Sequence, residues 1–283
     1  MRPLVLFLLL LTACATASRS GNPRGDSCAW RVCVRAEETA SGRVYRAFNR
    51  EPVPATVVLQ FRSPGNLRPG AERPIEKVVP PGSNVLMARM NSIVHDRSIG
   101  AELSISIDLG ASTTIADVNY LYAVPFGGER ARELIQGFGG ADSHLESMRY
   151  SLDFAMPQGT PILAARAGTV FYLQDGFTVG RADPVLLERA NLVVVAHSDG
   201  TMASYGHLRR GIPVSIGDTV GVGDWLGWSG ATGFAGRPHL HFHVGKRLLG
   251  TPGRTIPIKL RDRDGHLLGL EVGSLITPAR RAP

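Results

Sequence analysis

The sequence predicts a mainly β protein: an antiparallel sheet bent into a groove, preceded by a small β-sandwich-like domain. Three observations carry this expectation. Apolar residues recur in short alternating runs of period two, as in Glu102–Leu103–Ser104–Ile105–Ser106–Ile107–Asp108, and long stretches of helical period are missing. Turn formers are abundant, 33 Gly and 19 Pro in 283 residues, and they punctuate those runs. Finally, His207, His239 and His241 stand among glycine-rich connections, two of them at the spacing that puts side chains on one face of a strand.

The chain opens on Met1–Arg2–Pro3, an apolar run from Leu4 to Leu11, and Thr12–Ala13–Cys14. The run is too short to span a bilayer and has the charged start and small-residue end of a secretory signal. Leu11–Thr12–Ala13–Cys14 resembles a bacterial lipobox, which makes residues 1–13 a lipoprotein signal peptide and Cys14 the lipidated first residue of the mature chain. The competing reading is an ordinary signal cut near Ala15 or Ala17. Ala15 after the cysteine resembles an outer-membrane sorting signal, so the expected location is the cell envelope, on the outer membrane and facing the periplasm. Residues 14–28 are small and polar, a tether. Cys28 and Cys33 follow, and in an exported protein such a close pair reads as a disulfide or as two free thiols, the disulfide being favoured.

Residues 29–123 read as the N-terminal β domain. Its strand candidates include Ala55–Phe61, Asn84–Met87 and the alternating run at 102–108, and it carries no catalytic constellation. The crossing at Tyr120–Gly128 leads into a second domain, 124–250, where Gly159–Val170 and Gly217–Asp224 alternate glycine turns with short strands. The stretch Arg130–Gln136 is the one modest helix candidate. Residues 251–283 form a basic C-terminal extension in which Ile256–Pro257–Ile258 reads as an edge strand.

Imidazole is a borderline ligand suited to zinc, and catalytic zinc sites combine three protein ligands with a water. His239 and His241 on one strand face, with His207 nearby, therefore point to a hydrolytic metal site that needs further ligands. Upstream, Ser143–His144 and Leu152–Asp153–Phe154 offer them. A carboxylate set between Leu152 and Phe154 would enter a sheet interior, which is costly unless it is paired or holds a metal. Taken singly, Asp153 reads equally well as an exposed turn residue and His144 as a surface histidine.

Together the segments SH…YSLDFAMPQGTPILAARAGTV, NLVVVAHSDGTMASYGHL and GDTVGVGDWLGWSGATGFAGRPHLHF resemble the lysostaphin/LytM-type zinc metalloendopeptidases over about residues 120 to 245. The resemblance implies one Zn2+ per chain held by His144, Asp153 and His241, with His207 and His239 as the unliganded catalytic pair. It also implies a peptide-bond hydrolase acting on the peptide moiety of peptidoglycan, in stem peptides or cross-links. The nine-residue step from His144 to Asp153 is longer than in the best-known members. His243 shares the strand face, so spacing alone would also allow His241 and His243 as the metal pair; the PHLHF pattern favours His239 and His241. His197 reads as a hairpin-end residue beside an Asp-Gly turn, and His95 and His266 as surface residues.

A second function fits the same motifs: a non-catalytic LytM-like module that binds and activates other cell-wall hydrolases. Such modules lack some of the ligands, and here all five site residues are present. The net charge of +7 favours anionic partners, but the basic residues are scattered without the aromatic interleaving of a nucleic-acid groove, so the expected partners are peptidoglycan and, through Cys14, a membrane.

Overall fold

The structure is a computed structural model that describes residues 26–63, 65–66, 73–94, 100, 102–140, 143–246 and 253–278. The expected signal peptide at 1–13, Cys14, the tether before residue 26, His95 and the tail from residue 279 lie outside the described residues. The chain divides into two compact units, one ending at Thr114 and the other beginning at Ile115.

The first unit contains β1 (Ser27–Ala29), β2 (Val32–Thr39), β3 (Gly42–Asn49), β4 (Ala55–Ser63), β5 (Ile75–Val79), β6 (Asn84–Asn91) and β7 (Glu102–Leu109). They form two antiparallel sheets, in the orders β1-β2-β3-β6 and β5-β4-β7. Alternation decides which side is inside: Ala55, Val57, Leu59 and Phe61 of β4 are all buried at every second position. Tyr45 of β3 meets Phe61 edge-on with ring centroids 5.5 Å apart, so side chains from the two sheets meet in one core. A disulfide joins Cys28 and Cys33, which face each other across the β1–β2 hairpin.

The second unit contains β8 (Leu121–Ala123), β9 (Arg132–Gln136), β10 (Ser151–Ala155), β11 (Pro161–Leu163), β12 (Gly168–Gln174), β13 (Gly180–Arg181), β14 (Asn191–Ala196) and β15 (Thr201–Leu208). It continues with β16 (Thr219–Val220), β17 (Trp225–Trp228), β18 (Gly233–Phe234), β19 (His239–Lys246), β20 (Arg254–Thr255), β21 (Lys259–Arg261) and β22 (Leu275–Ile276). The main sheet runs β16-β12-β14-β15-β19-β10-β9-β22, with β20 pairing the far end of β19. Every pairing in it is antiparallel. Among the described residues the helical turns are two short 3-10 segments, Glu146–Met148 and Pro184–Leu186.

One face of this sheet is the core. Leu152 and Phe154 of β10, Tyr205 of β15 and Leu240, Phe242 and Val244 of β19 are fully buried there. Each such side chain contributes roughly 1.5–3 kcal/mol of burial. Period two then sends Asp153, His239, His241 and His243 to the opposite face.

Two expectations are corrected. Arg130–Gln136 is not helical; Arg132–Gln136 is β9, with Leu134 fully buried and paired to Phe154. A helix this short is marginal in water, whereas the strand gains ladder bonds to β10 and β22. Ile256–Pro257–Ile258 is not a strand; pairing occurs on either side, in β20 and β21. Pro257 has no N–H to give a ladder, although Ile258 still packs into the core.

Candidate metal centre

Three neighbouring strands build the site. On β10 and β19, Asp153 lies directly opposite His241, Ser151 opposite His243 and Ala155 opposite His239. On the other side of β19, Gly206 and Ser204 of β15 face His241 and His243. His144 comes from the connection between β9 and β10, where its backbone N–H donates to Gly140 O at 3.2 Å.

The pairings place donor atoms close together. His241 Nδ1 is 2.8 Å from Asp153 Oδ1, and His144 Nε2 is 3.3 Å from Asp153 Oδ2. One ligand atom from each of His144, Asp153 and His241 lies within 4.8 Å of the others. The His144 Nδ1–H donates to Gly137 O at 2.8 Å, which leaves Nε2 as the free lone pair, and among the described residues that buried atom has no hydrogen-bond partner. Two imidazoles and a carboxylate, buried and converging, are the N/O donor set that suits a zinc-type divalent cation.

His207 reaches this face by an irregularity. Leu192 pairs with Gly206 and Asn191 with Leu208, so His207 is the extra residue of a β-bulge, and its φ is +63°. Strict alternation would turn it to the core side with Tyr205; the left-handed bulge residue re-aims it. Its ring stands 4.4 Å from that of His239 and 6.0 Å from that of His241, centroid to centroid. Its Nδ1–H donates to Thr232 O at 2.7 Å, which frees Nε2 on the site side. His239 donates likewise from Nδ1 to Arg237 O at 2.9 Å.

Burial sets the electrostatics. It would raise the Asp153 carboxyl, but the His241 and His144 imidazoles against it outweigh that and hold it far below the usual carboxylate range. Desolvation, helped by His239 and His241, pushes His207 down to about 3. His239 is lowered by desolvation too, and His243 falls well below its ordinary value for the same reason. His239 is half-buried while His144, Asp153, His207, His241 and His243 are buried, so the cluster opens to solvent on the His239 side.

His144, Asp153, His207, His239 and His241 are thus one cluster. His243 touches it too: its Nδ1 lies 3.2 Å from His241 Nε2, at the closed end. His197 is apart, at the end of β14, with its Nδ1–H donating to Ala167 O at 2.9 Å. His266 is exposed beside Asp262. Sequence reasoning missed Asn191 and Thr232. The Asn191 side chain donates to Phe177 O and Leu208 O, its N–H donates to Thr232 Oγ1, and that hydroxyl donates to Leu208 O. The four bonds clamp the two backbone segments that define the bulge. No spacing in the sequence signals this, because the partners meet only through the bulge.

The family model described as Peptidase family M23 matches residues 147–252. An uncharacterized metalloprotease of Buchnera aphidicola is 36% identical over 98 residues, 35% of this chain and 23% of its own length. The Peptidoglycan DD-endopeptidase ShyA of Vibrio cholerae is 36% identical over 92 residues, 32% of this chain and 19% of its own. The lipoprotein NlpD/LppB homolog of Pseudomonas aeruginosa is 35% identical over 98 residues, 35% of this chain and 29% of its own. The chain therefore spans less than a third of the length of these relatives. The match includes Asp153, His207, His239 and His241 and begins three residues after His144. Over residues 147–252 the chain is thus similar to Peptidase family M23.

Proposed function

We propose that this protein is a zinc-dependent endopeptidase that hydrolyses peptide bonds in peptidoglycan stem peptides or cross-links within the cell envelope. The observation that carries the reading is the completeness of the cluster. The three donor residues His144, Asp153 and His241 converge, and His207 and His239, whose rings are 4.4 Å apart, stand beside them, the His207 ring 6.0 Å from that of His241. A bare binding module would have no need of both sets.

His144, Asp153 and His241 would hold the ion, which supplies Lewis acidity toward a scissile carbonyl and toward water. Proton movement falls to His207 and His239. Each has its Nδ1–H on a backbone carbonyl, which leaves Nε2 to accept a proton and pass it to the leaving amine. Burial keeps His207 neutral at physiological pH, the state in which it can act as a base. Substrate enters from the His239 side, where the cluster meets solvent. The assignment to peptidoglycan rests on the similarity to ShyA. The membrane anchor rests on Leu11–Thr12–Ala13–Cys14, with Cys14 as the acylated residue, and its placement on the outer membrane rests on Ala15.

Digestion of purified, chemically defined peptidoglycan, followed by mass spectrometry of the products, tests the activity. New amine and carboxyl ends within the peptides, lost with chelator and restored by zinc, are expected. Intact peptide under all conditions would leave the non-catalytic module as the better reading. The intact mass of the mature protein tests the anchor, and a chain that starts after Cys14 without acyl mass would refute it.

A further inference from the structure

Each imidazole of the cluster has a partner on the side turned away from the cluster's centre. For His144, His207 and His239 that partner is a backbone carbonyl, of Gly137, Thr232 and Arg237 respectively. A carbonyl can only accept, so each of these contacts dictates where the ring proton sits. His241 is different. Its Nδ1 faces Asp153 and its Nε2 faces the side chain of His243 at 3.2 Å.

We propose that His243 is a positioning residue for the metal centre: without an ion the His241 Nδ1–H donates to Asp153, and with an ion bound the Nδ1 of His243 would accept the Nε2–H of His241, fixing the tautomer that leaves the His241 Nδ1 lone pair for the ion. The inference rests on the reading of His241 as a metal ligand.

The geometry supports the role in three ways. His243 is 3% exposed and sits at the closed end of the site, so it cannot meet a substrate entering at His239. Its neighbours across the sheet, Ser151 and Ser204, are small, and the Ser151 hydroxyl is spent on Met148 O. Among the described residues His241 is the one hydrogen-bond contact of the ring, and its Nε2 is buried without a partner there. A buried ring with an unpaired polar nitrogen is costly. Holding a ligand in register gives that cost a purpose, because partners of ligating histidines typically account for about 10–100-fold in metal affinity.

The test measures zinc stoichiometry and Kd by chelator competition on the full purified chain. It compares the wild type with His243→Leu, which fills the space without an acceptor, and His243→Asn, whose carboxamide oxygen stands near the original Nδ1. His243→Leu should bind one zinc with Kd weakened about 10–100-fold, and His243→Asn should recover most of that loss. Thermal unfolding of each metal-free variant identifies any that fail to fold; if Leu does not, His243→Ala replaces it. Three results would overturn the proposal: Leu binding zinc within about twofold of wild type, Asn no better than Leu, or Leu losing stoichiometric zinc as His241→Ala does, which would make His243 a ligand. A wild type that binds no zinc, or a His241→Ala variant that binds it normally, instead overturns the metal-centre reading underneath.

Discussion

Asp153 and His241 are direct cross-strand partners on β10 and β19, and they touch through Oδ1 and Nδ1 at 2.8 Å. The contact is fixed by strand register, so losing either residue removes a donor atom from the cluster and leaves the facing atom of the other, buried, without this contact. Asp153→Asn, His241→Ala and His144→Ala are each expected to abolish stoichiometric zinc in the purified protein. His207→Ala should keep it. Elemental analysis of the four variants decides the ligand set, and a His207 variant as metal-poor as the His241 variant would move His207 among the ligands.

Removing the proton-handling groups should act on turnover rather than on metal. His207→Ala and His239→Ala are each expected to lower the rate about 10²–10⁴-fold while binding one zinc per chain. Peptide hydrolysis rates, read beside zinc content, check this. Full activity in the His239 variant would shift the motif two residues along β19.

The bulge at His207 can be perturbed without touching any ring. A Cβ at Gly230 would come within 2.6 Å of Arg209 N and 2.8 Å of His207 O, both backbone atoms with little room to yield. Gly230→Ala should therefore displace His207 and lower turnover at least about tenfold, since small misplacements of a catalytic group can cost up to about 10²-fold. Zinc content should be unchanged. Normal kinetics in this variant would mean that the loop absorbs the methyl group and that the bulge is not the positioning device.

His197 gives a pH dependence separate from the metal centre. Burial depresses its pKa to about 4 from an ordinary 6.5. The unfolded chain therefore takes up a proton that the folded protein refuses, and stability falls as pH drops through that interval, with no further loss from this group below it. The full effect is on the order of 3 kcal/mol, since each tenfold change in proton affinity is worth about 1.4 kcal/mol. His197→Asn should flatten this part of the profile, as read from urea-unfolding midpoints across the same range. A variant with an unaltered slope would assign the dependence to other groups.

The β character, the strands at 55–61, 84–87 and 102–108, and the shared face of His239 and His241 were legible because alternation and turn residues are local properties. Arg130–Gln136 misled for the same reason: Arg, Glu, Leu and Gln favour helix locally, and only the pairing of Leu134 with Phe154 overrides them. Periodicity would have placed His207 on the wrong side of the sheet. Its grouping with His239 came from motif resemblance, and the physical reason is a bulge whose partner residue, Asn191, lies on another strand. The contact of His243 with His241 was equally hidden. Two same-face positions on one strand are roughly 7 Å apart along the backbone, and only the orientation of the two rings brings their nitrogens to 3.2 Å.

His241, Phe242 and His243 lie on a stretch of β19 that is paired to β10 on one side and to β15 on the other. Backbone amides in such a doubly flanked strand exchange with solvent only through large-scale opening, on the slowest timescale the domain possesses. The arrangement of the donor residues is then a standing one, unlike small domains that collapse without metal. Stripping the protein with a chelator should leave the exchange rates of these amides nearly unaltered. Re-addition of zinc should restore activity as fast as the ion diffuses in, with no refolding lag.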